Sequence, residues 1–156
     1  MSAGTAPPRA AGQRKRDALH RLDHDIDAWV ATADEASGAP CLIPLSFLWD
    51  GEALLVATPA ASATARNLWA TGTARVGVGP TRDLVLIDGA VRALGKGELT
   101  AAAGDAFAAK TGFDPRRLST AYAYFRITPQ RLQAWREADE LAGRDLMVGG
   151  RWIVRD

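Results

Sequence analysis

The hydrophobic pattern of the chain changes period once, near Asp27. Ahead of that point, Ala18, Leu19, Leu22, Ile26 and Trp29 recur at roughly helical spacing, and the charged residues between them predict an amphipathic helix from about Gln13 to Asp25. Beyond it, AWVATA, CLIPLSFLW, ALLVAT, ARVGVG, DLVLIDGAVRALG and YAYFRIT are short apolar or alternating runs divided by turn residues. The links from Trp49 to Ala53 and from Gly79 to Asp83 are of hairpin length and leave no room for crossover helices, so the sheet is expected to be antiparallel. Five or six such strands in a small domain hide their edges best by curling closed. The pattern therefore predicts a mostly β chain built as a barrel.

The interruptions carry as much information as the runs. Pro44 cannot donate to a strand ladder, which predicts an edge, a bulge or a split in the wall where a planar ligand can lie against backbone. Gly77 and Gly79 leave backbone bare on one face, for close packing against another subunit or for a ligand. GELTAAAGDAFAAKTGFDP predicts an alanine-rich helix, capped by Thr100 and ended by Gly112, that packs on the barrel wall. Tyr122, Tyr124 and Arg126 alternate with Ala123, Phe125 and Ile127, and Pro129 begins a second extended stretch ending at Trp135. In DLMVGGRWIV, Gly149 and Gly150 predict a hairpin turn.

Within LLVATPAASATARNL, an apolar strand opens into a hydroxyl-rich turn and then a helix start. Pro59 stops regular pairing, and Ser62 or Thr64 can cap a helix that Arg66, Asn67, Leu68 and Trp69 continue. A helix start offers unpaired N–H groups, and Ser62, Thr64 and Arg66 add two hydroxyls and a cationic fork within one turn. The stretch reads either as an anion site or as an ordinary cap with a solvated arginine.

Length bounds the chain to one domain, with residues 1–12 as a flexible leader and 13–156 as the folded unit with its N-terminal helix and C-terminal tail. The net charge of +1 hides a basic arm: residues 1–21 hold five basic residues and one acid, leaving the remainder at −3. Without a folded basic face interleaved with aromatics, that arm reads as a solvated tail, and no nucleic-acid partner is expected. The longest uncharged run, Ala36 to Trp49, is too short to span a bilayer, and the N-terminus lacks the apolar core of a secretory signal, so a cytoplasmic protein without a membrane partner is expected. Cys41, the one cysteine, sits in an apolar setting that reads as a buried inert thiol. His20 and His24 are four apart, yet no third ligand follows, so no metal site is predicted. No GxSxG, HExxH or GxGxxG pattern is present, and no catalytic side chain is assigned; a bound cofactor would have to carry any chemistry.

The segments DAWVATAD, GAPCLIPLSFLWDGEALLVAT, SATARNLWATGTARVGVG, DLVLIDGAVRAL and FRITPQRLQAW, in that order, resemble the flavin-binding split-barrel proteins related to pyridoxamine 5'-phosphate oxidase, including the branch that uses a deazaflavin in place of FMN. The resemblance runs from about Asp27 to Trp135. It implies a six-stranded antiparallel split β-barrel with flanking helices, assembled as a homodimer with two cofactor sites at the subunit boundary. By similarity the cofactor phosphate would meet Thr58, Ser62, Thr64 and Arg66, with Asn67 beside them. The ring would lie against the strand of Pro44 and Ser46, with Trp135 or the tail of the other subunit near its edge. Many relatives place a lysine where Thr64 stands, so Arg66 supplies the positive charge alone, which leaves room for the deazaflavin coenzyme F-420 instead of FMN. The implied activity is hydride transfer between the bound cofactor and a small organic substrate; the alternative is a non-catalytic flavin- or haem-binding module.

Overall fold

The computed structural model describes residues 6–155, so residues 1–5 of the expected leader lie outside the described residues. Helix α1 (Ala11–His24) starts two residues ahead of Gln13 and buries a stripe of Arg14, Ala18 and Leu22. Arg14 is tolerated in that stripe because its guanidinium donates to the carbonyls of Glu140 (2.8 Å) and Ala142 (3.3 Å). Just ahead of the helix, Arg9 donates from Nη2 to Glu140 at 2.7 Å and from Nη1 to Asp17 at 3.0 Å, tying this segment to the chain beyond the barrel.

Six strands follow: β1 (Asp27–Ala33), β2 (Pro40–Trp49), β3 (Leu54–Pro59), β4 (Thr73–Val78), β5 (Leu84–Ala93) and β6 (Tyr122–Trp135). They pair antiparallel in the order β3-β2-β1-β4-β5-β6, and β3 pairs with β6, so the sheet closes on itself as a barrel. Two short strands, β7 (Asp145–Val148) and β8 (Arg151–Trp152), extend the wall beyond β6 through the turn at Gly149 and Gly150, both at positive φ. Helix α2 (Ala63–Thr71) lies between β3 and β4, and helix α3 (Ala101–Thr111) between β5 and β6. Among the described residues, no helix is long and apolar enough to cross a membrane.

The alternation that predicts the strands also sorts their faces. Val30, Phe47, Leu54, Val56, Val76, Ile87, Phe125, Ile127 and Leu132 point inward and form the core, into which α2 inserts Ala65 and Leu68. On the outside of the wall, α3 presses Phe107 onto Leu55 and Ala57, making a second, smaller apolar layer. Thr100 Oγ1 accepts the Ala103 N–H at 3.1 Å and Gly112 ends the helix at φ 73°, the two boundaries read from the sequence. Lys110 fixes the far end of α3, donating to the carbonyls of Phe47 (3.0 Å) and Leu22 (3.3 Å); burial pushes its ammonium below the usual lysine value.

Two details depart from the sequence pattern. The stretch begun at Pro129 is no separate strand: β6 is continuous, and it bulges where Asp88 faces Arg131 while Gly89 faces Pro129, leaving Gln130 as the extra residue. Proline fits there because a bulge relieves the ladder of one donor. Gly79, at φ 91°, is also required within its own chain, since an added Cβ would stand 2.6 Å from the Asp83 carbonyl and 2.8 Å from the Arg21 side chain.

Candidate functional site

The polar cluster at the end of β3 follows from strand alternation and helix capping. Thr58 continues the inward set of Leu54 and Val56 and is 1% exposed. Pro59 ends the strand, and Ser62 caps α2 with its Oγ accepting the Ala65 N–H at 3.1 Å. That cap stands 3.2 Å from the Thr58 hydroxyl, so the end of β3 and the start of α2 share one hydrogen bond. Arg66, one turn on, is exposed and bends back to donate from Nη1 to the Ala61 carbonyl at 2.7 Å, which leaves further guanidinium donors facing solvent. The carboxyl of Asp34 is held below its usual range, first by the Ser37 N–H and in smaller part by the charge of Arg66.

Thr64 and Asn67 sit on the opposite side of the same helix turn, both buried. Asn67 Nδ2 donates to Thr32 Oγ1 at 3.1 Å, and the Thr64 hydroxyl lies 3.7 Å from Cys41 Sγ. Thr32 and Cys41 are direct cross-strand partners on β1 and β2, so the four side chains form one polar seam between α2 and the wall. Sequence reading misses Thr32, and its only signal is the inward parity it shares with Ala28 and Val30. Cys41 is half-buried in this seam.

Pro44 and Ser46 occupy the open part of the wall. Strand β2 pairs with β3 only through Phe47, Leu48 and Trp49, so residues 40–46 bond to β1 alone and leave their other edge free. This is the split that the proline predicts. Pro44 faces outward opposite Trp29, and Ser46 donates from Oγ to Asp27 Oδ1 at 2.7 Å. With Trp29 at 54% exposure and Leu42 at 61%, the outer face here is an apolar surface, and Pro44 and Trp29 border a concavity of about 560 Å³. Trp135 stands at the far end of β6 opposite Leu84, with the Arg144 guanidinium 6.0 Å from its ring, whereas Thr58 pairs near the beginning of that strand, with Ala123.

One chain therefore gathers Thr58, Ser62, Thr64, Arg66 and Asn67 around the first turns of α2. Pro44 and Ser46 lie on the outer wall, and Trp135 lies at the opposite end of β6. At the start of α2 the half-buried Ser62 hydroxyl, the helix-start N–H groups and the exposed Arg66 fork can meet an anion, while the hydroxyls of Thr58 and Thr64 are buried behind them; the cluster's hydroxyl, amide and thiol groups offer positioning more than proton transfer. Among the described residues, no group of three or more His, Cys, Asp and Glu side chains could hold a metal ion; His20 and His24 stack on each other at 4.0 Å on the exposed face of α1.

A family model described as "Pyridoxamine 5'-phosphate oxidase" matches residues 22–136. No curated protein sequence matches the chain. Among solved structures, one described as an F420 reductase aligns with a TM-score of 0.60 at 18% identity, covering 72% of this chain and 93% of that one. An FAD-binding protein from Mesorhizobium loti aligns at 0.60 and 16% identity, covering 75% and 90%. A heme binding protein from Mycobacterium smegmatis aligns at 0.66 and 16% identity over 83% of this chain and 55% of its own. At these identities the likeness establishes the barrel fold.

Proposed function

This chain belongs to the pyridoxamine 5'-phosphate oxidase family, and from that premise we propose that it is a flavin-type oxidoreductase acting on a small organic substrate. FMN is the first cofactor proposed and the deazaflavin coenzyme F-420 the second. The observation that carries the reading is the cluster at the start of α2, where the Thr58 and Ser62 hydroxyls lie 3.2 Å apart beside an exposed Arg66. Those groups suit a phosphate: neutral donors and a fork of N–H groups at a helix N-terminus. Thr64 and Asn67 support it from beneath through Cys41 and Thr32.

When bound, such a cofactor accepts or donates a hydride at its ring. The protein's part is then to bind the phosphate end, hold the ring flat and exclude water. Pro44 and Ser46 suit the ring because their strand edge is open and the exposed Trp29 and Leu42 flank Pro44 on the same face. Because Pro44 and Ser46 face outward while Thr58 faces inward, and Trp135 is at the other end of β6, we propose that a complete site needs a second copy of the chain. A homodimer with two such sites is the corresponding assembly, with Trp135 contributed across the boundary.

Titrating the apoprotein with FMN and with the deazaflavin, followed by fluorescence, tests the reading. Saturable binding of either one below about 1 mM is expected, and its failure for both would overturn the enzyme assignment. A non-catalytic flavin- or haem-binding role is the second reading. Turnover of a reduced nicotinamide or reduced deazaflavin by the loaded protein separates the two.

A further inference from the structure

The outer wall beneath α3 holds a second concavity, of about 460 Å³, whose lining shares no residue with the Thr58 cluster. Its floor is apolar, made by Leu48, Leu55, Leu94 and Leu99. Its roof is the alanine face of α3, including Ala103, whose short side chains leave the space between helix and wall unfilled. The volume falls in the ~300–1,000 Å³ range of small-molecule sites.

The mouth carries Arg92 and Arg126. These two residues are direct cross-strand partners on β5 and β6, so two like charges stand opposite each other on one face, a pairing that destabilises a sheet. Each arginine rests against an acid at the rim: Arg92 Nη1 on Glu98 at 2.5 Å, and Arg126 on Asp50, with Glu52 at 3.5 Å. The acids have other anchors. Glu98 also accepts the Gly95 N–H at 2.7 Å, and Asp50 accepts the N–H groups of Glu52 and Ala53, each at 2.9 Å. Backbone amides thus hold the two carboxylates in the loops, and each guanidinium, with five N–H donors, keeps donors to spare.

We propose that this pocket binds an amphipathic carboxylate, a medium-chain fatty acid, with its tail over the leucine floor and its carboxylate between Arg92 and Arg126. The apolar chamber accounts for the tail, and the N–H donors that Arg92 and Arg126 keep beyond their ion pairs with Glu98, Asp50 and Glu52 account for the head.

Calorimetric titration of the full chain with decanoate tests the assignment, with 1-decanol and decyltrimethylammonium as probes of equal tail length. Decanoate is expected to bind saturably below about 1 mM, and both other probes at least tenfold more weakly. Arg126→Gln and Arg92→Gln should each weaken decanoate about tenfold or more. Ala103→Leu, which fills the roof with an apolar side chain, should abolish binding while leaving the melting temperature and FMN affinity near those of the parent. Equal affinity for decanol, preference for the cationic probe, binding that survives Ala103→Leu in a folded protein, or no saturable decanoate binding would each overturn the proposal.

Discussion

Replacing Glu140 by Gln should remove the clasp that ties the start of α1 to the chain beyond the barrel. The Glu140 carboxylate is 3% exposed and accepts from Arg9 Nε (2.9 Å), Arg9 Nη2 (2.7 Å) and the backbone N–H groups of Arg9 (3.0 Å) and Arg136 (2.9 Å). The Arg9 guanidinium, with those N–H groups, holds its pKa down to about 2 against an ordinary 4.5, despite burial that pulls the other way. A shift of that size corresponds to about 3 kcal/mol at ~1.4 kcal/mol per pH unit. A carboxylate with a depressed pKa contributes its stability in full above its unfolded value and loses it as pH falls through the folded one, so the contribution is complete above about pH 4.5 and fades toward about pH 2. Glu140→Gln should therefore lower the unfolding free energy by about 3 kcal/mol at pH 7, or the melting temperature by roughly 6–12 °C for a domain of this size. Urea unfolding of both proteins at pH 7, 5, 4 and 3 reads the difference, which should be constant down to pH 5 and shrink below it. A deficit under about 0.5 kcal/mol at pH 7, the scatter of ordinary surface substitutions, or one that does not change with pH, would refute the account.

Arg66→Ala should raise the dissociation constant for FMN by about ten- to a hundredfold, the loss of a charge-assisted contact, with Arg66→Lys recovering only part; an unchanged affinity in a folded protein would remove the phosphate role. Tyr124→Phe should be neutral or stabilising by up to about 1 kcal/mol in chemical unfolding, because the Tyr124 hydroxyl is buried without a hydrogen-bond partner among the described residues and deleting it costs no bond there. Gly89→Ala should destabilise by about 1–3 kcal/mol, since the new methyl would stand 2.3 Å from Ile127 Cγ2 inside a filled barrel, and a thermal melt matching the parent would count against that packing. Light scattering at micromolar concentration should give a dimer mass; a monomer would remove the two-copy site.

The six barrel strands were legible because alternation and hairpin-length links are local properties, and α3 because Thr100 and Gly112 mark its two ends in the sequence itself. The continuity of β6 was not, since the bulge at Gln130 exists only in relation to Gly89 on the neighbouring strand, and a proline read alone signals a stop. The same distinction runs through the site. That Ser62 would cap α2 follows from its own position, whereas the seam of Thr32, Cys41, Thr64 and Asn67 depends on a cross-strand register that no single segment encodes. Residue types thus pointed to a hydroxyl-rich helix start, readable as a cap or as an anion site, and to an open strand, but not to which side of the wall each would face. Parity decides that: Pro44 and Ser46 alternate outward against Leu45 and Phe47, while Thr58 stays in phase with Leu54 and Val56. A ligand that used both sets would have to reach around the free edge of residues 40–46, and in the proposed dimer the exposed Trp29, Leu42 and Pro44 beside that edge would be the apolar surface that the second chain covers.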